Sequence, residues 1–148
     1  MDEVRFYYEY EPNGYLSNFY ISPIRLDGKD WPTVEHFYQA AKTLDPAYSE
    51  RVRLASTADE AKRLGNDPAC LLRADWSGYK VEVMRRALAA KFGQHPDLGR
   101  LLVATGDAIL IENSKKDYFW GAGADGTGRS MLGALLMELR ASLAAGGE

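Results

Sequence analysis

The first third of the chain carries short runs of β-branched and aromatic residues that are typical of strands. Such runs occupy residues 4–8 and 19–26. Asp27-Gly28 then offers two residues that tolerate positive φ, as a tight hairpin turn requires, and residues 29–31 continue beyond it. The pattern therefore predicts an N-terminal strand followed by a β-hairpin.

From residue 33 onward the apolar positions recur at helical spacing. Thr33 and Thr57 are predicted N-caps, and Thr57 begins the capping box Thr-Ala-Asp-Glu. A buried strand is predicted at 108–112, and residues 145–148 are expected to fray. The predicted helices cover residues 34–44, 58–64, 80–92, 97–103 and 130–144.

Early strands followed mainly by helices, without repeats or linkers, predict an α+β protein. We expect a single compact domain over residues 1–148, with helices packed around a small sheet. A chain of 148 residues is long enough to bury a sizeable core, roughly 70% of its unfolded surface.

The first predicted helix has two faces. Its apolar stripe, which should face the core, consists of Val34, Phe37, Ala41 and Leu44. Beside it, three polar residues follow the i, i+4, i+7 spacing: Glu35, Gln39 and Lys42. Taken alone, the polar stripe is typical of a solvated helix face with one intrahelical salt link; the functional alternative is that it lines a pocket.

Composition and charge narrow the function classes. The net charge of −3 gives no general attraction for nucleic acid or anionic membranes, and 46% apolar residues are ordinary for a globular protein. The single cysteine, Cys70, excludes an internal disulfide, and the two histidines, His36 and His95, offer no zinc ligand set. No apolar run approaches the ~20 residues of a membrane helix. We expect a soluble, cytoplasmic protein without metal, cofactor or membrane partner.

A glycine-rich loop at residues 117–133 nearly matches the phosphate-loop pattern G-x-x-x-x-G-K-[ST] between Gly123 and Ser130. Arg129 stands at the lysine position, where a planar guanidinium does not reproduce a compact ammonium, so an NTPase is disfavoured. A second interpretation is that the glycines let backbone N–H groups approach the phosphate of a nucleotide-sized ligand. The N-terminal dipole of the final helix would then favour the anion, and Trp120 would stack on the ligand.

Nine short motifs follow one another along the chain. They occupy residues 14–20, 26–28, 31–36, 39–42, 60–65, 73–76, 94–98, 105–108 and 117–133. Together and in this order they resemble the NADAR (YbiA-like) family from about residue 6 to residue 140. The family pattern usually has glutamine where Ala41 stands and asparagine where Ser130 stands, and these two departures bear on side-chain contacts to the substrate.

The resemblance implies an α+β domain that cleaves N-glycosidic bonds. Family members hydrolyse early phosphorylated intermediates of riboflavin biosynthesis, which carry a ribosylamine C–N bond, or remove ADP-ribose from guanine and so reverse DNA ADP-ribosylation. The implied partner is therefore a small phosphorylated ribosyl metabolite or ADP-ribosylated guanine in nucleic acid. The functional positions carried over by motif are Glu35, Trp76, Asp117 and Trp120, with Lys62 as a further catalytic candidate. Further predicted substrate contacts are Asn18, Gln39, Lys42, Arg63, Gly121 and Gly123.

Breaking a ribose C–N bond builds positive charge at C1, which a nearby carboxylate stabilises. We expect Glu35 and Asp117 to supply carboxylates there, with Trp76 and Trp120 stacking on the base. A second route is a Schiff base on Lys62, provided that burial or a cationic neighbour such as Arg63 or Lys42 lowers its pKa. The alternative from another class is a module that binds ADP-ribose or NAD without cleaving it. The oligomeric state cannot be predicted from the sequence.

Overall fold

A computed structural model of the chain describes residues 2–146. Within that range it contains six α-helices, four short strands and one turn of 3₁₀-helix at Gly14–Leu16. The helices are α1 (Val34–Ala40), α2 (Pro46–Arg53), α3 (Ala58–Gly65), α4 (Trp76–Gln94), α5 (Pro96–Ala104) and α6 (Met131–Gly146). The strands are β1 (Glu3–Phe6), β2 (Ile24–Leu26), β3 (Lys29–Trp31) and β4 (Ile109–Glu112). The predicted α+β class is confirmed.

The chain divides into two units, each with its own internal contacts. One unit combines residues up to 20 with those from 95 onward, and the other consists of residues 21–94. Each unit has one two-stranded sheet, so the strands form two separate sheets and not the one small sheet that we expected.

In the first unit β1 and β4 pair in parallel, with Glu3 opposite Ile109 and Phe6 opposite Glu112. Parallel neighbours need a long connection, which explains why the two strands come from opposite ends of the chain. Helix α6 packs against β4. Gly133 permits this approach, because a Cβ there would overlap the carbonyl oxygen of Leu110.

In the second unit β2 and β3 form the predicted antiparallel hairpin. Ile24 lies opposite Trp31, and the turn residues Asp27 and Gly28 have φ of 55° and 77°. The strand is shorter than predicted: it begins at Ile24 because Pro23 has no N–H to donate to a ladder.

Both predicted N-caps are present. Thr33 Oγ1 accepts a hydrogen bond from the His36 N–H at 3.1 Å, and Thr57 Oγ1 accepts from Glu60 N–H at 3.0 Å. These caps begin α1 and α3 where the sequence placed them, and α1 packs against α2, α3 and α4.

Helix α1 is shorter than the predicted 34–44, ending at Ala40. Leu44 is 70% exposed, so its assignment to the core stripe was wrong. The chain leaves the helix because Thr43 forms a bridge with Leu72, and because Pro46 opens α2 with Asp45 as its N-cap. Helix α2 was not predicted.

The remaining boundaries differ by a few residues. Helix α4 begins at Trp76, four residues earlier than expected, and α6 continues to Gly146. Residues 145 and 146 are therefore helical and not frayed, whereas residues 147 and 148 lie outside the described part of the chain.

Candidate active site

Two polar side chains of α1 are buried one helical turn apart. Glu35 is 7% exposed and Gln39 is 3% exposed. Gln39 Nε2 donates a hydrogen bond of 2.7 Å to Glu35 Oε2, which orients the amide toward the carboxylate. The solvated-face alternative is therefore wrong for this stripe.

The other end of the Gln39 amide faces α3. Its Oε1 is buried and has no hydrogen-bond partner among the described residues. It lies directly against Gly65, where a Cβ would overlap the amide of Gln39. The glycine that ends α3 is thus required by this close approach.

Lys42 follows two residues after the end of α1 and is only 9% exposed. Its Nζ donates a hydrogen bond of 3.0 Å to Asn66 Oδ1 and lies 5.8 Å from the ring centroid of Tyr38. The backbone carbonyl of Lys42 accepts from the Arg73 N–H at 2.7 Å, so the segment before α4 fixes its backbone.

Burial is the main cause that lowers the pKa of Lys42. The ammonium groups of Lys62 and Lys80 lower this pKa further, whereas the nearby Glu35 and Cys70 raise it. Lys42 is therefore a buried amine with a reduced pKa that lies within electrostatic reach of a buried carboxylate.

Lys62, predicted as the reacting amine, has an exposed side chain on α3. Arg63 is exposed as well, and its guanidinium lies 3.7 Å from the Glu60 carboxylate. The burial that the Schiff-base hypothesis requires is found at Lys42, and Lys62 is instead one of its cationic neighbours. A catalytic role for Lys62 and a substrate contact by Arg63 stay predictions.

Trp76, at the start of α4, is buried and packs edge-on against Tyr38, with ring centroids 5.1 Å apart. Tyr38 in turn lies beneath the ammonium of Lys42. Trp76 is therefore connected to Lys42 through one aromatic ring. That it stacks on a base stays a prediction.

In the first unit, the glycine-rich loop uses most of its backbone donors internally. Eight N–H groups donate to backbone carbonyls of residues 112–123, and the Ala124 N–H donates to Tyr118 Oη. These eight donors belong to Ala122, Gly123, Gly126, Gly128, Arg129, Ser130, Met131 and Leu132. The set includes the first two N–H groups of α6, so the structure does not support the interpretation of the loop as an anion cradle.

The glycines of this loop serve close packing. A Cβ at Gly121 would overlap the Glu112 carboxylate, and one at Gly123, whose φ is 74°, would overlap the ring of Tyr118. Their predicted contact with substrate stays a prediction.

Asp117 organises the turn that follows it. Its Oδ1 accepts hydrogen bonds from the Phe119 and Trp120 N–H groups at 2.9 and 2.7 Å, whereas Oδ2 has no hydrogen-bond partner among residues 2–146. Trp120 is half-buried, with its ring 4.8 Å from that of Phe119, and Asn18 is half-buried after the 3₁₀ turn. The predicted functions of Asp117, Trp120 and Asn18 stay predictions.

His36 is accounted for by structural hydrogen bonds. Its Nε2 donates to the Ala55 carbonyl at 3.0 Å, and its Nδ1 lies 2.8 Å from Thr33 Oγ1. Among the described residues no group of three or more His, Cys, Asp or Glu side chains is placed to hold a metal ion. None of the helices in that range is long and apolar enough to cross a membrane.

The chain is similar to known proteins over nearly its whole length. The NADAR domain profile matches residues 5–144. The chain is 48% identical over 141 residues to N-glycosidase YbiA of Escherichia coli strain K12, which covers 95% of this chain and 88% of that protein. It is 41% identical over 140 residues to N-glycosidase Npun_R5314 of Nostoc punctiforme, covering 93% and 90%.

Two further matches extend the comparison. Riboflavin biosynthesis protein VVA0006 of Vibrio vulnificus is 44% identical over 144 residues, which are 97% of this chain but 39% of that protein. An NMR structure of the Escherichia coli protein YbiA superimposes with a TM-score of 0.91 at 46% identity, covering 99% of this chain and 87% of that one.

The chain belongs to the NADAR family, as the motifs predicted. It is an enzyme of the N-glycosidase class, like the relatives that match it over more than nine-tenths of its length.

The structure brings Glu35, Gln39 and Lys42 together and adds Asn66, which the sequence did not suggest. Asn66 is the C-cap of α3, directly after the predicted helix stop at Gly65. The available signal was a polar residue at the end of a predicted helix, but its partner Lys42 lies 24 positions away in the sequence.

Proposed function

We propose that this enzyme hydrolyses the bond between C1 of a phosphorylated ribosyl group and an amine nitrogen, with Glu35 and Lys42 as the reacting groups. The observation that carries the proposal is the buried amine of Lys42, with its lowered pKa, in the field of the buried Glu35 carboxylate. A lowered pKa increases the share of the amine that is present in the neutral form, and the neutral form is the nucleophile toward an imine carbon.

The steps balance as a transimination followed by hydrolysis. A ribosylamine opens its ring to an imine at C1, and neutral Lys42 Nζ adds to that carbon. The C–N bond to the departing amine then breaks as that nitrogen accepts a proton, which leaves C1 bound to Nζ as an imine. Water adds to C1, releases the ribosyl aldehyde and returns Nζ to the free amine. The Glu35 carboxylate accepts and returns the protons of these steps.

Direct attack by water is the second route within the same activity. There the Glu35 carboxylate stabilises the oxocarbenium-like state and activates the water, and Lys42 acts only as a fixed positive charge. Burial of Glu35 beside the Gln39 amide favours this role as well, since the carboxylate is already held in one orientation. The two routes differ in whether a covalent adduct forms.

For the substrate we favour a small phosphorylated ribosylamine of the kind formed early in riboflavin biosynthesis. One relative is named a riboflavin biosynthesis protein, and the net charge of −3 provides no general attraction for nucleic acid. ADP-ribosylated guanine is the alternative substrate, because a base that leaves the stack needs only local contacts in a pocket.

The test offers purified protein each substrate and measures the released base or amine together with the ribosyl product. We expect turnover of the ribosylamine phosphate and a loss of about 10²–10³-fold in kcat for Glu35→Gln, with ligand binding retained. A non-catalytic module that binds ADP-ribose or NAD would bind ligand without product in both proteins. If neither substrate gives a product, the proposal is overturned.

A further inference from the structure

Asn66 holds Lys42 through an amide whose orientation is set from the other side. Its Nδ2 donates a hydrogen bond of 3.0 Å to the Lys62 carbonyl, one of the last carbonyls of α3. Because a carbonyl oxygen only accepts hydrogen bonds, the nitrogen must face Lys62 and the oxygen must face Lys42. Oδ1 then accepts from Lys42 Nζ at 3.0 Å.

The backbone of Asn66 adds to this restraint. Its N–H donates to the same Lys62 carbonyl at 3.1 Å, which makes Asn66 the C-cap of α3. The preceding residue, Gly65, lies against the amide of Gln39. The end of α3 therefore positions the side chains of both Gln39 and Lys42.

An amide at this position differs from a carboxylate in one respect that matters for an amine. Both accept a hydrogen bond from Nζ, but the negative charge of a carboxylate would stabilise the charged ammonium much more strongly than a neutral amide does. The charged or titratable groups that act on Lys42 are Glu35 of α1, Lys62 of α3, Lys80 of α4 and Cys70 before α4. Asn66 orients the amine without adding a further negative charge to this set.

We propose that Asn66 is a positioning residue for the reaction, a neutral acceptor that fixes the direction of the Lys42 amine while leaving it free to lose its proton. This inference rests on the proposed function, in which Lys42 reacts as the free amine.

The experiment measures Lys42 itself as well as turnover. An amine-reactive reagent in trace amount labels the full-length protein across a pH series, and peptide mass spectrometry reports the labelling rate at Lys42. The same series gives the pH profile of kcat and KM. The variants are Asn66→Asp and Asn66→Ala. The matched control, Asn113→Asp, adds the same charge at an exposed asparagine that accepts from Arg5.

For Asn66→Asp we expect the labelling midpoint of Lys42 and the rising limb of kcat to move upward together by about one pH unit, with tenfold lower turnover below both midpoints. For Asn66→Ala we expect the midpoint to stay in place while kcat falls about tenfold and KM changes little. The Asn113→Asp control keeps the wild-type profile.

An unchanged labelling midpoint in Asn66→Asp, or full kcat in folded Asn66→Ala, overturns the inference. If Asn66→Asp does not fold, the kcat and KM of Asn66→Ala still decide. A failure of the proposed function is distinguishable from these outcomes, because the pH profile of wild-type kcat would then not follow the pH dependence of Lys42 labelling.

Discussion

The sequence predicts two candidate sites, the polar residues in and directly after α1 and the glycine-rich loop. In the structure, the polar atoms of these two regions differ in how completely they are hydrogen-bonded. Around α1, a carboxylate, an amide and an amine are buried side by side, and Gln39 Oε1 has no hydrogen-bond partner in the described chain. In the loop, consecutive backbone N–H groups donate to carbonyls of the same loop and the adjoining strand.

This difference in hydrogen bonding indicates a different function for each region. Burying polar groups with incomplete pairing costs stability, and such a cost is typical of sites that bind a ligand. A loop whose donors are satisfied internally gains order and offers fewer donors to an anion. We expect the chemistry to depend first on Glu35 and Lys42, and the glycines mainly to allow the loop to fold tightly.

The largest effect is expected at the amine. Lys42→Met removes the proposed nucleophile at nearly constant volume, so kcat should fall by at least about 10³-fold. Lys62→Met removes a neighbouring charge and should cost less than about tenfold. Steady-state kinetics of the two variants side by side check this, and a larger loss at Lys62 would return the Schiff-base hypothesis to that residue.

A buried lysine elsewhere separates burial from function. Lys91 of α4 is fully buried, and burial lowers its pKa from 10.5 to about 7. Between these pH values the unfolded chain binds more protons than the folded protein, so the Lys91 contribution makes stability rise with pH across that window. Lys91→Met should therefore add about 1–4 kcal/mol at pH 6 and progressively less toward pH 10.

Denaturant unfolding at several pH values measures this effect, with kcat as the second readout. We expect Lys91→Met to retain turnover within about threefold, because burial alone does not make an amine catalytic. A pH-independent change in stability would contradict the argument from the lowered pKa.

Substitutions in the glycine-rich loop should lower the free energy of unfolding. A Cβ at Gly128 would meet the Ala122 backbone at 2.6 and 2.7 Å, so Gly128→Ala should cost about 1–3 kcal/mol. Gly78→Ala is the control, because a Cβ at that position of α4 meets nothing within 4 Å and alanine favours the helix by about 1 kcal/mol. Lost turnover in a Gly128→Ala protein of wild-type stability would instead indicate a ligand contact.

The smallest effect distinguishes the two possible functions of Asp117. Asp117→Asn keeps an oxygen to accept from the Phe119 and Trp120 N–H groups, so stability should change by less than about 0.5 kcal/mol, whereas Asp117→Ala should cost about 1 kcal/mol. If Asp117 also serves as a catalytic carboxylate, as the family resemblance predicts, the Asn variant loses at least about tenfold in kcat. An unchanged kcat in Asp117→Asn would indicate that Asp117 serves only to hold the turn of the loop.

Local signals in the sequence predicted much of the fold. Thr33 and Thr57 begin their helices, and Asp27-Gly28 forms the hairpin turn, because each depends on neighbours a few positions away. The end of α1 was missed because it depends on contacts of Lys42 and Thr43 with residues 72 and 73, about thirty positions later.

The candidate site was predicted only in part, because some of its contacts also join residues that are distant in the sequence. The spacing of Glu35, Gln39 and Lys42 placed them on one side of a helix, although Lys42 in fact follows its end. Which lysine is buried could not be read from spacing, since Lys42 is covered by packing from α3 and the segment before α4. Asn66 was missed because hydrogen bonds between distant residues leave no periodic pattern.

The most direct measurement is borohydride reduction during turnover, followed by peptide mapping of the modified protein. The reagent converts an imine between a lysine and the ribosyl C1 into a stable secondary amine, and mass spectrometry locates the adduct. We predict a single adduct on the peptide that contains Lys42, absent from Lys42→Met. An adduct at Lys62, or continued turnover without any adduct, would contradict the assignment of Lys42 as the reacting amine.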